Sequence, residues 1–152
     1  MQLNLRLALA LANSMKWIYQ GEEIDSLPDE VMYMVYKIDY TNGTSYVGMK
    51  VVRSELKQTP LKGMRKNAVR RVLKQSNWKT YIGSSKENVG LEIALKTILH
   101  LCSNKRSSTY LEAKEILSRG ALENDKYNNA NCLGKFFKGN CLEGLLEYEK
   151  KV

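Results

Sequence analysis

Residues 31 to 52 read VMYMVYKIDYTNGTSYVGMKVV, and this stretch decides the fold. Val, Ile and Tyr dominate residues 31–40 and again residues 45–52, which is typical of β-strands. Asn42 and Gly43 lie between the two runs, and this dipeptide favours a type I′ turn, which needs a positive φ at two successive residues. The stretch therefore predicts an antiparallel β-hairpin.

Outside the hairpin, the sequence predicts several helices and one more strand. Residues 2–19 lack Gly and Pro and contain many Leu and Ala, which favours a helix. Residues 97–102 are a short apolar run that fits a buried strand. Further helices are predicted over residues 86–96, over residues 110–119 with a cap from Ser107, Ser108 or Thr109, and over residues 140–151. The fold class is therefore α+β, a small antiparallel sheet built on the hairpin, flanked by helices and preceded by an N-terminal helix.

The segment from residue 53 to residue 80 has weak periodicity and predicts an extended loop, with a short helix or strand near residues 68–73. Its charge is unusual, because residues 50–79 carry ten basic side chains and one acidic side chain, Glu55. The rest of the chain has 14 basic and 15 acidic residues. The net charge of +8 therefore comes from one segment, which indicates a polyanionic partner.

Size and composition narrow the class of protein. A chain of 152 residues is long enough for one domain, and no apolar stretch approaches the roughly 20 residues of a membrane helix. Cys102, Cys132 and Cys141 form no Cys-x-x-Cys pair, so neither a zinc site nor a disulfide framework is predicted. We expect a cytoplasmic protein with reduced thiols and no membrane segment.

The single histidine excludes several classes of catalyst. His-Asn-His nucleases and two-histidine zinc proteases need more than one, and His100 lies in an apolar run that predicts a core or edge residue. The chain also lacks a Gly-x-Ser-x-Gly elbow and a phosphate-binding loop. A catalytic site would therefore depend on Tyr, Lys, Arg, Glu and Asn.

An ordered set of such residues resembles the GIY-YIG endonuclease family. Tyr36 and Tyr46, on the two strands of the hairpin, resemble the tyrosines that this family brings together on adjacent strands. Glu112, in YLEAKEI, resembles the glutamate that a helix of the family presents to a metal ion. Asn128, in KYN, resembles the asparagine that closes the domain. Residues 76–86 resemble phage-encoded members with a long insertion after the second strand.

The resemblance implies metal-dependent hydrolysis of DNA phosphodiester bonds. Glu112 would bind one divalent cation, Mg²⁺ or Mn²⁺. Tyr36 or Tyr46 would activate or position the attacking water, and Asn128 would steady the scissile phosphate. Rival positions stay open at Glu115 for the metal and at Asn129 and Asn131 for the phosphate.

Two positions depart from the family pattern. Met34 stands where the motif has its first glycine, and Leu56 stands where the family's arginine is expected. The cationic role in catalysis is therefore assigned first to Lys50 and Lys86, which each follow a Tyr-x-Gly triplet. The alternatives are Arg53, Arg70 and Arg71. The second triplet, at residues 81–83, is too far along the chain to close the same hairpin.

The resemblance covers about residues 31–137. It implies an N-terminal helical extension (1–30), a nuclease domain (31–137) with a basic insertion (50–80), and a C-terminal helix (138–152). The side chains expected to bind the DNA backbone are Arg53, Lys62, Arg65, Lys66, Arg70, Arg71, Lys74 and Lys79.

Three functions are compatible with these features. The first is an endonuclease of a phage or mobile element, nicking or homing in type, that acts in the host cytoplasm as a monomer or a transient dimer. The second is a catalytically silent module of the same fold that binds nucleic acid. The third is a basic RNA-associated protein of unrelated fold, which predicts no contact between the two tyrosines. Metal-dependent cleavage that Glu112→Ala abolishes would distinguish the first from the second.

Overall fold

The computed structural model describes residues 6–7, 9–11, 14–66 and 68–146. Its strands and long helix are β1 (Trp17–Tyr19), β2 (Glu22–Ile24), β3 (Tyr33–Tyr40), β4 (Ser45–Val51), β5 (Arg53–Gln58), β6 (Arg70–Gln75), β7 (Ile93–Cys102), α1 (Lys105–Ser118), β8 (Asn131–Cys132) and β9 (Phe136–Phe137). The main sheet has the order β2-β1-β7-β3-β4, and β5-β6 and β8-β9 form two small sheets. The predicted α+β class is confirmed, but β1 runs parallel to β7, so the sheet is mixed rather than antiparallel.

The predicted hairpin is confirmed as β3 and β4, in a register that places Tyr36 opposite Gly48. The turn differs from the predicted type, because Gly43 has a positive φ of 87° and Asn42 does not. The Gly43 amide donates to the Tyr40 carbonyl at 3.1 Å, which fits the three-residue loop that ends in a left-handed glycine. Asn42 instead caps the turn with its side chain, which accepts from the Thr44 amide at 3.0 Å.

Successive residues of a strand point to opposite faces, so β3 separates two hydrophobic clusters. On one face, Tyr36 and Ile38 pack in a cluster with Trp17 and Trp78. On the other, Val35 packs in a cluster with Val47 of β4, with residues of α1 and with the chain that follows the helix. The sheet therefore lies between α1 and a layer made by the N-terminal strands and the 76–82 segment.

The predicted helix over residues 2–19 is wrong at its end. The described residues before the first strand include helical ones (6–7, 9–11 and 14), and the others of residues 1–13 lie outside the described residues. Trp17 begins a strand instead, and its indole nitrogen donates to the Trp78 carbonyl at 2.7 Å. Pairing of β1 with β7 overrides the local helical composition, so residues 17–24 belong to the main sheet rather than to a helical extension.

The segment predicted as an extended loop contains a second hairpin, formed by β5 and β6. The predicted helix over residues 86–96 is wrong, because only a 3₁₀ turn forms at Lys86–Asn88 and Gly90 follows with a φ of 81°. The strand predicted at residues 97–102 begins earlier, at Ile93. Long-range pairing of β7 with β3 extends it beyond its apolar run.

The last two predicted helices also differ from the structure. Helix α1 begins at Lys105 rather than Tyr110, because Asn104 caps it by accepting from the Ser107 amide at 2.8 Å. Residues 138–144 form turns after β9 instead of a helix, residues 145–146 have no regular structure, and residues 147–152 lie outside the described part of the chain. Within the described residues, no helix is long and apolar enough to cross a membrane.

Lys96 is a buried charge in the core and gives a prediction on stability. Its side chain is fully buried, with Nζ 4.5 Å from the centre of the Trp17 ring, and burial lowers its pKa to about 8. An unfolded lysine titrates near ~10.4. The unfolded chain therefore binds more protons between these values, and this group makes the fold more stable as the pH rises from about 8 to about 10.

We expect Lys96→Met to raise the free energy of unfolding at pH 7 by about 1–3 kcal/mol, because a buried charge is replaced by an apolar side chain of similar length. Urea denaturation at pH 7, 8 and 9.5 measures this effect, and the difference between the variant and the wild type should shrink as the pH rises. Lys114→Met, at an exposed position of α1, is the control and should change little. A difference that does not vary with pH would contradict the prediction.

Candidate active site

The two hairpin tyrosines lie on the same face of the sheet and contact each other. Tyr46 pairs with Ile38 and Tyr36 pairs with Gly48, so the tyrosines are diagonal neighbours across the strands. Their ring centroids are 6.4 Å apart. This contact is the one that the resemblance implies, and it contradicts the unrelated RNA-associated fold, which predicts none.

Gly48 allows the Tyr36 ring to cross the second strand. A Cβ atom at this position would lie 2.5 Å from the Tyr36 hydroxyl oxygen and 2.9 Å from a ring carbon of Tyr46. Both atoms belong to rings that are packed on further neighbours, so neither can move away at low cost. The glycine of the Tyr-x-Gly triplet is therefore a packing requirement of the tyrosine pair.

Tyr81 completes a tyrosine cluster, defined here as Tyr36, Tyr46 and Tyr81. Its ring meets the Tyr36 ring edge-to-face, with centroids 5.8 Å apart. The Lys50 ammonium lies 4.3 Å from the centre of the Tyr81 ring, which is a cation–π geometry. Sequence analysis did not assign Tyr81 to the site, because the second triplet cannot close the hairpin. The repeat of the Tyr-x-Gly triplet at residues 81–83 could have indicated that Tyr81 belongs to the site. The chain returns to the first hairpin after β6, which brings this second triplet beside Tyr36.

Burial and crowding keep the tyrosine hydroxyls protonated. Burial, and then the neighbouring Tyr81 and Tyr46, raise the pKa of Tyr36 well above its ordinary value. Burial, and then the Glu112 carboxylate, also raise the pKa of Tyr46, although the Ser85 hydroxyl acts in the opposite direction. Neutral phenols at physiological pH can donate and accept hydrogen bonds but do not supply a phenolate base.

Glu112 reaches the site from α1. Burial raises the pKa of its carboxyl group, and the same carboxylate raises the pKa of Tyr46 and of the Cys132 thiol. The described residues contain no group of three or more His, Cys, Asp or Glu side chains that could hold a metal ion. A lone carboxylate still fits Mg²⁺, which often binds one or two carboxylates and completes its octahedron with waters and substrate phosphate.

Glu115, the rival of Glu112, is engaged in a separate network. Its carboxylate pairs with His100 Nε2 at 2.7 Å and with Arg119 Nε at 2.9 Å. Burial acts to raise the pKa of Glu115, but the hydrogen bonds to His100 and Arg119 outweigh it and hold the pKa below its ordinary value. Glu115 therefore holds α1 against β7, whereas Glu112 makes no ion pair within the described residues.

The loop after α1 runs along the outer edge of β4, beside Tyr46. The Ser45 amide donates to the Lys126 carbonyl, and the Asn128 amide donates to the Ser45 carbonyl, both at 2.8 Å. Asn129 is buried, and its side chain bonds both the amide and the carbonyl of Val47. Asn128 is only half-buried and donates to Thr44. Asn129 is thus a structural clamp, and Asn128 keeps the exposure that a phosphate contact needs.

The two candidate lysines differ in their surroundings. Lys50 is half-buried on the face of Gly48 and Tyr46 and lies against Tyr81. Lys86 is exposed, and its neighbours Ser85 and Glu87 both influence the pKa of Tyr46, so this segment passes close to the Tyr46 hydroxyl. A groove of about 380 Å³ separates Glu87 from Asn128. Lys50 therefore contacts the tyrosine cluster directly, whereas Lys86 lies between two residues that act on Tyr46.

Arg53, predicted to bind DNA and offered as a substitute for the family arginine, has a structural role instead. It is 8% exposed, and its guanidinium donates to the carbonyls of Leu27, Pro28 and Val31. Because these hydrogen bonds hold the guanidinium inside the protein, it is not available to bind a phosphate. The other predicted DNA contacts are at least partly exposed, namely Lys62, Arg65, Lys66, Arg70, Arg71, Lys74 and Lys79.

The comparisons with known proteins agree with this geometry. A family model described as "Putative endonuclease segE, GIY-YIG domain" matches residues 17–136. The match begins with β1 and reaches β9, so it includes the tyrosine cluster, Glu112 and Asn128. No curated protein and no solved structure matches the chain.

The packing at Gly48 gives a prediction. We expect Gly48→Ala to lower the free energy of unfolding by about 1–3 kcal/mol, because the added methyl group overlaps the rings of Tyr36 and Tyr46. Urea denaturation monitored by circular dichroism measures the effect. Gly144→Ala is the matched control, since a Cβ there meets nothing within 4 Å. Equal stability of the two variants would mean that the Tyr36 ring does not cross the Gly48 backbone.

Proposed function

Because the chain belongs to the GIY-YIG endonuclease family, we propose that it is a divalent-metal-dependent endonuclease that hydrolyses DNA phosphodiester bonds. The observation that carries the proposal is the position of Glu112. Its carboxylate is partly buried, raises the pKa of Tyr46 by its charge, and makes no ion pair within the described residues. A desolvated carboxylate without a partner is well suited to a cation.

Glu112 would hold one Mg²⁺ or Mn²⁺ ion. When bound, such an ion polarises the phosphate and offsets the charge that develops on the leaving oxygen. The raised pKa of Glu112 fits this role, because a cation would favour the ionised form that burial disfavours. Glu115 would stabilise the fold through its pairs with His100 and Arg119 and take no part in binding the ion.

The tyrosine cluster would orient the reacting groups. Tyr46 is half-buried and near Glu112, so its neutral hydroxyl would position the attacking water by hydrogen bonding rather than act as a phenolate. Tyr36 is 2% exposed, so it would support the ring of Tyr46 rather than contact the substrate. Lys50 would place positive charge beside the phosphate, with Tyr81 holding its ammonium group.

Asn128 lines the groove and Lys86 precedes its lining residue Glu87 in the chain, so the two side chains would flank a scissile phosphate bound there. Lys86 would add charge that offsets the growing negative charge of the transition state. The side-chain amide of Asn128 now donates to the Thr44 hydroxyl, and it would donate to the phosphate instead when DNA is bound. The exposed cations of residues 57–79 would hold the DNA backbone, so binding should weaken steeply with salt.

One active site cuts one strand at a time, so a monomer would nick DNA and a transient dimer would cut both strands. A nicking or homing enzyme of a phage or mobile element, acting in the host cytoplasm, fits a small basic nuclease of this family. The catalytically silent module is the second candidate. It is favoured by Met34 at the place of the first motif glycine and by the burial of Arg53.

Plasmid cleavage tests the proposal. We expect the wild type to nick or linearise supercoiled plasmid only when Mg²⁺ or Mn²⁺ is present. Glu112→Gln should lower the rate by at least about 100-fold, because it removes the charged ligand while keeping the shape of the side chain. The rate is measured by gel electrophoresis of time points.

Glu115→Gln is the matched control for this experiment, since it lies on the same helix and removes the same charge. It should lower stability through loss of the His100 and Arg119 contacts, yet keep metal-dependent cleavage below its melting temperature. Absence of cleavage by the wild type in either metal would favour the silent module. Equal loss of activity in both glutamate variants would contradict the assignment of Glu112.

A further inference from the structure

The hairpin formed by β5 and β6, here called the ribbon (residues 53–75), stands apart from the main sheet. Its strands pair only with each other among the described strands. Apart from the first residue of each strand, every residue of β5 and β6 is exposed. An isolated two-stranded hairpin is marginal in water without packing or a partner, so the ribbon needs support from its root or from a ligand.

The root of the ribbon is firmly attached. Arg53 is bonded to three backbone carbonyls of the 27–31 segment. On the other strand, the Ser76 amide donates to the Val52 carbonyl at 2.8 Å, and the Ser76 hydroxyl bonds the Val51 carbonyl. The chain enters the ribbon shortly after Lys50 and leaves it shortly before Tyr81, and these two side chains contact each other, so the root of the ribbon adjoins the candidate active site.

The charge of the ribbon is strongly positive. Apart from the buried Arg53, seven basic side chains and one acidic side chain, Glu55, lie in it. Lys57 and Arg71 are directly opposite each other, although like charges at such positions are destabilising. Glu55, on the same face, offsets part of this repulsion by pairing with Arg71 at 3.4 Å, and the ribbon has no further acidic side chain to offset its other basic ones.

One face of the ribbon has a composition suited to reading DNA bases. Because directly paired residues share a face, this reading face consists of Ser54, Leu56, Gln58, Arg70, Val72 and Lys74. Leu56 and Val72 are 41% and 37% exposed, and the Arg70 guanidinium bonds the Gln58 side chain. Arginine pairs with guanine, glutamine pairs with adenine, and apolar side chains contact the thymine methyl group. The opposite face has a similar mix of side chains, namely Lys57, Arg71, Leu73 and Gln75, but it differs in carrying Glu55, which engages Arg71 at 3.4 Å.

We propose that the ribbon lies in the major groove of duplex DNA and that its reading face selects the sequence beside the cut. The inference rests on the proposed function, because it assumes that DNA is the substrate. Each strand of six residues is about 20 Å long, and the major groove, about 12 Å wide, admits a two-stranded ribbon. The major groove of an RNA duplex is too narrow and deep for it.

Binding of the ribbon in the DNA major groove is tested with the Glu112→Gln protein, which should bind DNA without cutting it. Duplexes with a randomised segment are selected for binding, and the enriched sequence is treated with dimethyl sulfate with and without protein. This reagent methylates guanine N7 in the major groove and adenine N3 in the minor groove. We expect protection of guanine N7 on one side of the cut site. Protection of adenine N3 alone, or equal competition by an RNA duplex, would overturn the inference.

The reading face is tested with a matched pair of variants, Arg70→Ala and Arg71→Ala, in the same Glu112→Gln background. Each removes one positive charge at adjacent positions that point to opposite faces. Arg70→Ala should reduce discrimination at one base pair of the selected site by about 10- to 100-fold. Arg71→Ala should weaken binding to all sequences similarly and leave the base preference unchanged. Equal base preference in both variants would overturn the assignment of the reading face.

The plasmid assay keeps this inference separate from the proposed function. If the wild type cleaves DNA with metal but guanine N7 is not protected, the inference that the ribbon binds the major groove is wrong and the proposed function stands. Binding to no DNA together with cleavage of none would overturn the proposed function as well.

Discussion

The site depends on one close contact, the passage of the Tyr36 ring across the backbone of Gly48. The β3–β4 register sets this contact, since Tyr36 is paired with Gly48 and every other residue of each strand shares its face. A shift of one residue would turn Tyr36 toward α1 and Val35 toward the aromatic cluster. The same register places Tyr46 and Lys50 beside Tyr36, so the hairpin fixes three of the site residues at once.

The outer edge of β4 is the second place where fold and site are joined. An edge strand exposes unpaired amides and carbonyls, and proteins usually cover such edges. Here the loop at residues 126–129 covers it, through backbone bonds to Ser45 and the buried side chain of Asn129 on Val47. Covering the edge also places Asn128 against Ser45 and Thr44, the residues that precede Tyr46 in the chain.

The surroundings of Glu112 and the ribbon differ in their charge. Around Glu112 and Tyr46, burial favours neutral groups, which leaves the carboxylate without compensation unless a cation binds. The excess of positive charge lies in residues 50–79, most of it on the ribbon. In a nuclease, such a separation would bring the DNA backbone to the protein through the ribbon while the partly desolvated site is left for the metal ion and the scissile phosphate.

The sequence alone determined the hairpin, the α+β class, the family and the basic segment, because turn residues, strand alternation and charge act over a few neighbouring positions. It offered Glu112 and Asn128 as candidates beside Glu115 and Asn129, which have the same chemistry. Only the tertiary structure distinguishes their surroundings, because Glu115 is engaged with His100 and Arg119 and Asn129 is buried against Val47. It also added Tyr81 to the site, removed Arg53 from it and folded the insertion into a ribbon. These outcomes depend on contacts between residues far apart in the chain, which local patterns do not specify.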